Sequence, residues 1–404
     1  EKIVKEFKKD LPEEVASVSI AGPGFINFKI KDSYFAKNVL KIDKDFGKGV
    51  GEKGKKIMVE YTDPNPFKEF HIGHLMSNAI GESISRLVEF GGAVVKRANW
   101  QGDVGPHVAK AIWGALQLTI VNDVTSWGKA YAHGAQAYDN DENAKKEIQE
   151  INKKIYSRED KKINELYDAG RKVSLESFEE IYKKLGTKFD AYFFESKEWK
   201  NGLQIVEKYL KEGVFEKSDG AVIFPGEKHG LHTRVFITSQ GLPTYEAKEL
   251  GLNVEKFKLY PDLAQSIIIT ANEQNDYFKV LLKVFSLTHS DISENTKHIG
   301  HGMMRLTTGK MGSRKGNVIT TEVFIEEVKK LVDEKIKDRD FDKAEKEKLS
   351  EEVAIAAVKY QILRQAIGGD IIYDPEKSVS FEGDSGPYLQ YACVRAGTVL
   401  KKAE

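Results

Sequence analysis

The chain has one cysteine, Cys393, in 404 residues. It cannot form an intrachain disulfide or a thiolate zinc cluster, and this sparing usage suits a reducing compartment, so the cytoplasm is the expected location. Net charge is also missing: 62 basic residues balance 62 acidic ones. No whole-molecule field draws in polyanions, and a nucleic acid would have to meet a local basic patch. No run approaches the roughly 20 apolar residues that span a bilayer. The opening Glu1 to Asp10 is a charged helical pattern, not the apolar core of a signal peptide, so neither membrane insertion nor secretion is expected. What is present is a 40% hydrophobic chain, long enough for a sizeable core and two or three domains.

Val15 to Ile30 alternates apolar and polar residues around Gly22-Pro23-Gly24, which predicts two short strands and a tight turn. With a helix over Ser33 to Val39 it makes a small α+β unit, ended by the Gly- and Lys-rich stretch from Gly47 to Lys56. A strand over Ile57–Tyr61, a Pro-containing loop, a helix over His71–Phe90 and a strand over Ala93–Asn99 then follow as a βαβ unit, the building block of a parallel nucleotide-binding sheet. Asp141 to Lys184 reads as inserted helices with solvated charged faces. Strand-like runs return at Ala221–Phe224, Val235–Ser239, Ser266–Ala271 and His298–Met304, where the parallel sheet is expected to resume. Helices over Glu322–Lys335 and Asp342–Ala366, and one from about Pro387, close the chain.

The sharpest local signal is Pro64-Asn65-Pro66-Phe67-Lys68-Glu69-Phe70-His71-Ile72-Gly73-His74. Its two prolines keep the loop extended, so a helix must begin near His71 with its free N–H groups facing the top of the sheet. His71 and His74, three apart, share one face of that first turn and can donate to phosphate oxygens. Gly73, without a Cβ, lets a base or ribose approach. Alone, such a pair is more often a cap and an exposed ring. Downstream, Gly309-Lys310-Met311-Gly312-Ser313-Arg314-Lys315-Gly316 is a basic glycine-flanked loop suited to a departing pyrophosphate. Together the two segments describe a nucleotidyl-transfer site.

These two segments resemble the signatures of class I aminoacyl-tRNA synthetases. Ala21 to Asn27, Val59-Glu60-Tyr61 leading into Pro64-Asn65-Pro66, Asn99 to Gly105, Thr244 to Glu249 and Gly386 to Tyr391 resemble arginyl-tRNA synthetases in particular, across nearly the whole chain. The resemblance implies an α/β fold with a Rossmann-like parallel-sheet catalytic domain split by a helical insertion. It assigns residues 1–48 to an N-terminal tRNA-contacting domain and 49–125 and 231–321 to the two catalytic halves. The insertion would be 126–230, and 322–404 the helical stem and start of an anticodon-binding domain whose remainder is absent.

The implied activity is activation of L-arginine with ATP and transfer to tRNA(Arg), with Mg²⁺ and a monomeric enzyme. The resemblance gives Lys68, His71, His74 and Lys310 catalytic roles. It places ATP on His71, Gly73, His74, Gly302, Met303, Lys310, Ser313 and Arg314, and arginine on Glu60, Asn65, Tyr245, Glu249 and Gln274. No resident metal site is implied. Two departures stand out in the loop: Gly312 stands where the wider class has serine and Ser313 where it has the second lysine, which promotes Lys68; separately, Glu249 stands where many relatives carry aspartate. For Glu249 the alternative is a surface pair with Lys248 or Lys256, and for Tyr245 a core position. Another class I synthetase, a non-catalytic paralogue and a small nucleotidyltransferase are the competing readings.

Overall fold

The computed structural model describes residues 1–43, 45–120, 123–306 and 319–403. Charged helix α1 (Lys2–Lys9) precedes the antiparallel pair β1 (Val15–Ala21) and β2 (Phe25–Ile30), which turns through left-handed Gly22, and α2 (Asp32–Val39) follows. Val4, Val15 and Val18 form its small buried core with Leu11, Ile26 and Ile30 packed on it.

The parallel sheet begins at β3 (Lys56–Glu60), whose Ile57, Met58 and Val59 are all buried, as a central parallel strand requires. Helix α3 (Ile72–Phe90) crosses to β4 (Val94–Gln101), giving the expected βαβ unit. Four helices follow: α4 (Pro106–Gln117), α5 (Val124–Asn140), α6 (Glu142–Ser157) and α7 (Lys161–Leu185). Their core of Trp127, Ile148, Ile151, Ile155, Ile163 and Tyr167 includes Phe67, from the loop that leads to His71.

The helical reading of 126–230 needs correcting beyond Leu185, because β5 (Ala191–Phe194) is the edge strand of the parallel sheet, paired with β4. Four residues are too few to show a period beside such long helices. After α8 (Glu195–Lys211), the expected strands at 221–224 and 235–239 exist but do not continue the parallel sheet. They appear as β7 (Ala221–Phe224) and β8 (Arg234–Ile237), which join β6 (Glu216–Ser218) in a separate antiparallel sheet. Connections this short permit only antiparallel neighbours.

Helix α9 (Tyr245–Leu259) leads to β9 (Leu263–Ala271), and α10 (Asn275–Thr288) and α11 (Ser290–Asn295) lead to β10 (Thr296–His301). The sheet order is β10-β9-β3-β4-β5, every pair parallel. From β3 the chain fills one side through β4 and β5, and then the other through β9 and β10. The reversal opens a crevice beyond the carboxyl ends of β3 and β9, where α/β sheets bind ligands.

The run at 298–304 is not one strand. At Gly302 the chain leaves the sheet, since a Cβ there would lie 2.0 Å from the Gly369 carbonyl oxygen, and Met303 donates its N–H to Asp370 Oδ1 at 2.9 Å. Beyond it β11 (Met304–Leu306) pairs in parallel with β12 (Ile371–Tyr373). Helices α12 (Thr321–Ile336) and α13 (Lys343–Leu363) pack behind α3, and α14 (Pro375–Ser378) and α15 (Gly386–Ala403) complete the described chain. No described helix is long and apolar enough to cross a membrane.

Candidate active site

The loop after β3 is held in an unusual shape. Thr62, Asp63 and Phe67 have φ of 81°, 46° and 69°, left-handed values disfavoured for L-residues and above all for a β-branched one. Each is fixed by its surroundings. Thr62 donates its N–H to Ser77 Oγ (2.9 Å) and accepts from Asn78 Nδ2 (3.0 Å), and the Trp100 N–H reaches Asp63 Oδ1 (2.8 Å). Phe67 donates its N–H to Ser174 Oγ (2.8 Å) and sets its ring 5.3 Å from that of Trp127, so the inserted helices clamp the segment preceding Lys68.

The helix begins where the prolines require. His71 is its N-cap, and both histidines cap: the Gly73 N–H donates to His71 Nδ1 (3.1 Å) and the His71 N–H to His74 Nδ1 (3.3 Å). A ring that accepts at Nδ1 keeps its proton on Nε2. The rings stack at 3.6 Å and 17°. Burial, then the Lys68 charge, lowers the His71 pKa to about 4, and burial with His71 and Lys68 holds His74 well below the ordinary value. At neutral pH the site therefore presents two uncharged Nε2–H donors at a helix N-terminus. Gly73 first makes room for this stack, since a Cβ there would sit 2.9 Å from His71 Cε1.

An open cleft of about 510 Å³ lies over this helix start. It gathers seven of the expected residues, Asn65, His71, Gly73, His74, Tyr245, Gln274 and Met303, with Thr62, Asp63, Trp100, Glu273 and His301 among those not foreseen. Lys68, Glu60, Glu249 and Gly302 are not in its lining. The Lys68 ammonium lies 4.3 Å over the Tyr131 ring, near enough to both histidines to act on their pKa. Gly302 serves the close passage against Gly369. Lys310, Ser313 and Arg314 fall outside the described residues. The ends of their loop are placed, however: Ile319 lines the cleft and its carbonyl accepts the Ile72 N–H at 3.4 Å.

Glu60 and Glu249 lie behind the cleft, each 1% exposed. Lys256 is fully buried and pairs with Glu60 at 2.8 Å, while Asn253 Nδ2 donates to Glu249 Oε1 at 3.1 Å. The expected alternative of surface pairs on α9 is replaced by buried ones, for Lys248 also pairs inward, with Glu195 at 2.6 Å. Burial and the neighbouring Glu60 raise the carboxyl pKa of both Asp63 and Glu249. Asp63 could have been suspected from its place two residues before Asn65. Lys256, seven residues after Glu249 and two turns along the same helical face, could have been suspected as a buried cation.

A family model described as tRNA synthetases class I (R), catalytic domain, matches residues 36–374. An arginine–tRNA ligase of Treponema denticola is 32% identical over 95% of this chain and 67% of its own length, and one of Borrelia hermsii is 30% identical over 99% and 71%. Among solved structures, Thermus thermophilus arginyl-tRNA synthetase covers all of this chain and 74% of its own with a TM-score of 0.79 at 22% identity, a likeness of fold. By the family match and the identity to these relatives, the chain belongs to the arginine–tRNA ligases, the arginine-specific branch of the class I aminoacyl-tRNA synthetases.

Proposed function

We propose that the chain activates L-arginine with Mg²⁺–ATP at this cleft and passes the arginyl group to the terminal adenosine of tRNA(Arg). The observation that carries the residue assignment is the capped His71–His74 stack, which aims two neutral donors and a helix N-terminus into a cleft at the sheet's switch point. The arginine carboxylate attacks the α-phosphorus, and the bond to the bridging oxygen of pyrophosphate breaks in line. The protein supplies positioning and charge stabilisation.

His71 and His74 donate Nε2–H to phosphate oxygens. Lys68 moves from the Tyr131 ring to the same oxygens, joined by Lys310, Ser313 and Arg314 of the basic loop. Gly73 and Met303 border the adenosine, with Gly302 shaping the turn beside it. Tyr245 and Gln274 flank the arginine side chain, Asn65 lies near the α-carbon, and Glu60 and Glu249 supply negative charge from behind. Mg²⁺ enters with the triphosphate as part of the substrate. Residues 1–48 and 322–404 are assigned to tRNA contact, with 49–125 and 231–321 as the catalytic halves. The working form is a cytoplasmic monomer, in keeping with one exposed cysteine.

ATP–pyrophosphate exchange against all common amino acids, with and without bulk tRNA, tests this reading. Exchange with arginine alone supports it. Absence of exchange with any amino acid favours a non-catalytic paralogue.

A further inference from the structure

Resting on the proposed ATP site in this cleft, we infer that Asp370 is a positioning residue for the nucleotide: from outside the site it sets the Met303 side chain at the cleft wall. His301, Met303 and Met304 line the cleft where the chain leaves the parallel sheet, between the end of β10 and the start of β11. A pair of three-residue strands such as β11 and β12 is marginally stable by itself, so further bonds must fix this stretch.

Those bonds come from one short segment beyond α13, Gly369 to Ile371. Met303 donates its N–H to Asp370 Oδ1 at 2.9 Å, and its carbonyl accepts the Ile371 N–H at 2.8 Å. Both backbone polar groups of Met303 are thus turned towards this segment and used, which leaves the side chain, 37% exposed, as the part that meets a ligand. A thioether is polarisable and packs well against an aromatic ring, so its placement affects how a base fits. There is no slack behind Met303, because a Cβ on Gly302 would lie 2.0 Å from the Gly369 carbonyl oxygen.

Asp370 makes a second contact, from Oδ2 to Arg305 Nη2 at 2.7 Å. The Met303 N–H first, and then Arg305, keep its carboxyl below the ordinary range, so it is ionised at neutral pH. The two contacts do not weigh equally. The ion pair is open to solvent at both partners and contributes little, whereas the Met303 bond fixes a peptide at the cleft wall. Asp370 is not in the cleft lining, so its effect on a nucleotide runs through Met303.

The test separates the two contacts. Asp370→Asn keeps an oxygen acceptor for the Met303 N–H and removes the charge, Arg305→Met removes the ion pair alone, and Asp370→Ala removes both. Dissociation constants for ATP are measured calorimetrically, with kcat and KM for arginine in pyrophosphate exchange and the melting temperature alongside. Asp370→Ala should weaken ATP binding about fivefold, the scale of one hydrogen bond, with kcat and KM for arginine unchanged within about twofold. Asp370→Asn and Arg305→Met should bind ATP within about twofold of wild type. With the Met303 side chain removed by Met303→Ala, adding Asp370→Ala should cause no further loss of ATP affinity.

Wild-type ATP affinity in Asp370→Ala overturns the inference. A loss that persists undiminished on the Met303→Ala background also overturns it and makes Asp370 a structural residue, and an equal loss in Asp370→Asn assigns the effect to charge instead. If Asp370→Ala melts early, Met303→Ala alone still decides: wild-type ATP affinity in that variant refutes the inference. A wild type that binds ATP but exchanges pyrophosphate with no amino acid refutes the proposed function, while the ATP series still decides the role of Asp370.

Discussion

Replacing Gly202 by alanine should damage arginine handling from a residue outside the cleft lining. Helices α8 and α9 touch through reciprocal glycines: a Cβ on Gly202 would lie 1.9 Å from the Ala247 carbonyl oxygen, and one on Gly251 would lie 2.4 Å from that of Glu198. An ordinary carbon–oxygen contact needs about 3.3 Å, so the helices must part by about 1.4 Å along that line. Both obstacles are backbone, so no side chain can swing aside. Overpacking of this kind costs about 1–3 kcal/mol, and the strain falls beside the buried Lys248–Glu195 pair, set at 2.6 Å between the two helices. Helix α9 carries Tyr245 and Glu249, and a shift of about 1 Å in a positioning element can lower a rate about 10²-fold. The histidine stack belongs to α3, which packs on β3, β4, α12 and α13, so the ATP side should be spared. Gly202→Ala should thus lower the melting temperature by several degrees and reduce kcat/KM for arginine in pyrophosphate exchange about 10²-fold, while KM for ATP changes little. A variant with wild-type melting and wild-type arginine kinetics would refute the close helix contact.

The tautomer argument predicts that ¹⁵N spectra at pH 7 show His71 and His74 neutral and protonated at Nε2; a charged ring at either position would contradict it. Because the folded His71 pKa lies near 4 and the unfolded one near 6.5, the unfolded state takes up the proton first, so this group's stabilising contribution is present above pH 6.5 and is lost as pH falls towards 4. Pyrophosphate exchange should accordingly show no acid limb at 6.5, and finding one there would count against both assignments. Lys68→Ala should slow single-turnover adenylate formation roughly 10²-fold, the scale of one oriented donor; an unchanged rate would remove Lys68 from the phosphate site. Lys256→Met leaves Glu60 buried without its partner and should cost about 3–5 kcal/mol, partly restored in the Lys256→Met, Glu60→Gln double variant. A single variant with wild-type denaturant stability would show that the pair carries no such weight.

The βαβ core was legible because its signals are local: prolines that forbid helix before His71, a 19-residue amphipathic helix and two strand-length apolar runs. The stacked caps were half legible, since spacing places two imidazoles on one face but does not say which nitrogen accepts. Strand β5 was hidden because a four-residue edge strand owes its pairing to β4, which lies far away in sequence. The antiparallel β7 and β8 carry the same local pattern as parallel strands, and only connection length separates the two cases. Asp63 and Lys256 were missed for a different reason. Their roles follow from burial beside Glu60, a partner brought to Lys256 only by folding α9 onto β3.

The distribution of charge follows from what each substrate requires. Behind the cleft the buried Glu60 is paired with Lys256 at 2.8 Å, whereas Glu249 accepts from the Asn253 amide at 3.1 Å. At the start of α3 the donors carry no charge: burial and the Lys68 charge keep His71 neutral, burial with His71 and Lys68 keeps His74 neutral, and each accepts a backbone N–H at Nδ1. Lys68, whose charge acts on both rings, rests over the Tyr131 ring of the inserted helices at 4.3 Å. The inserted helices, packed on Phe67 and meeting Lys68 with the Tyr131 ring, thus fix the loop that leads to His71.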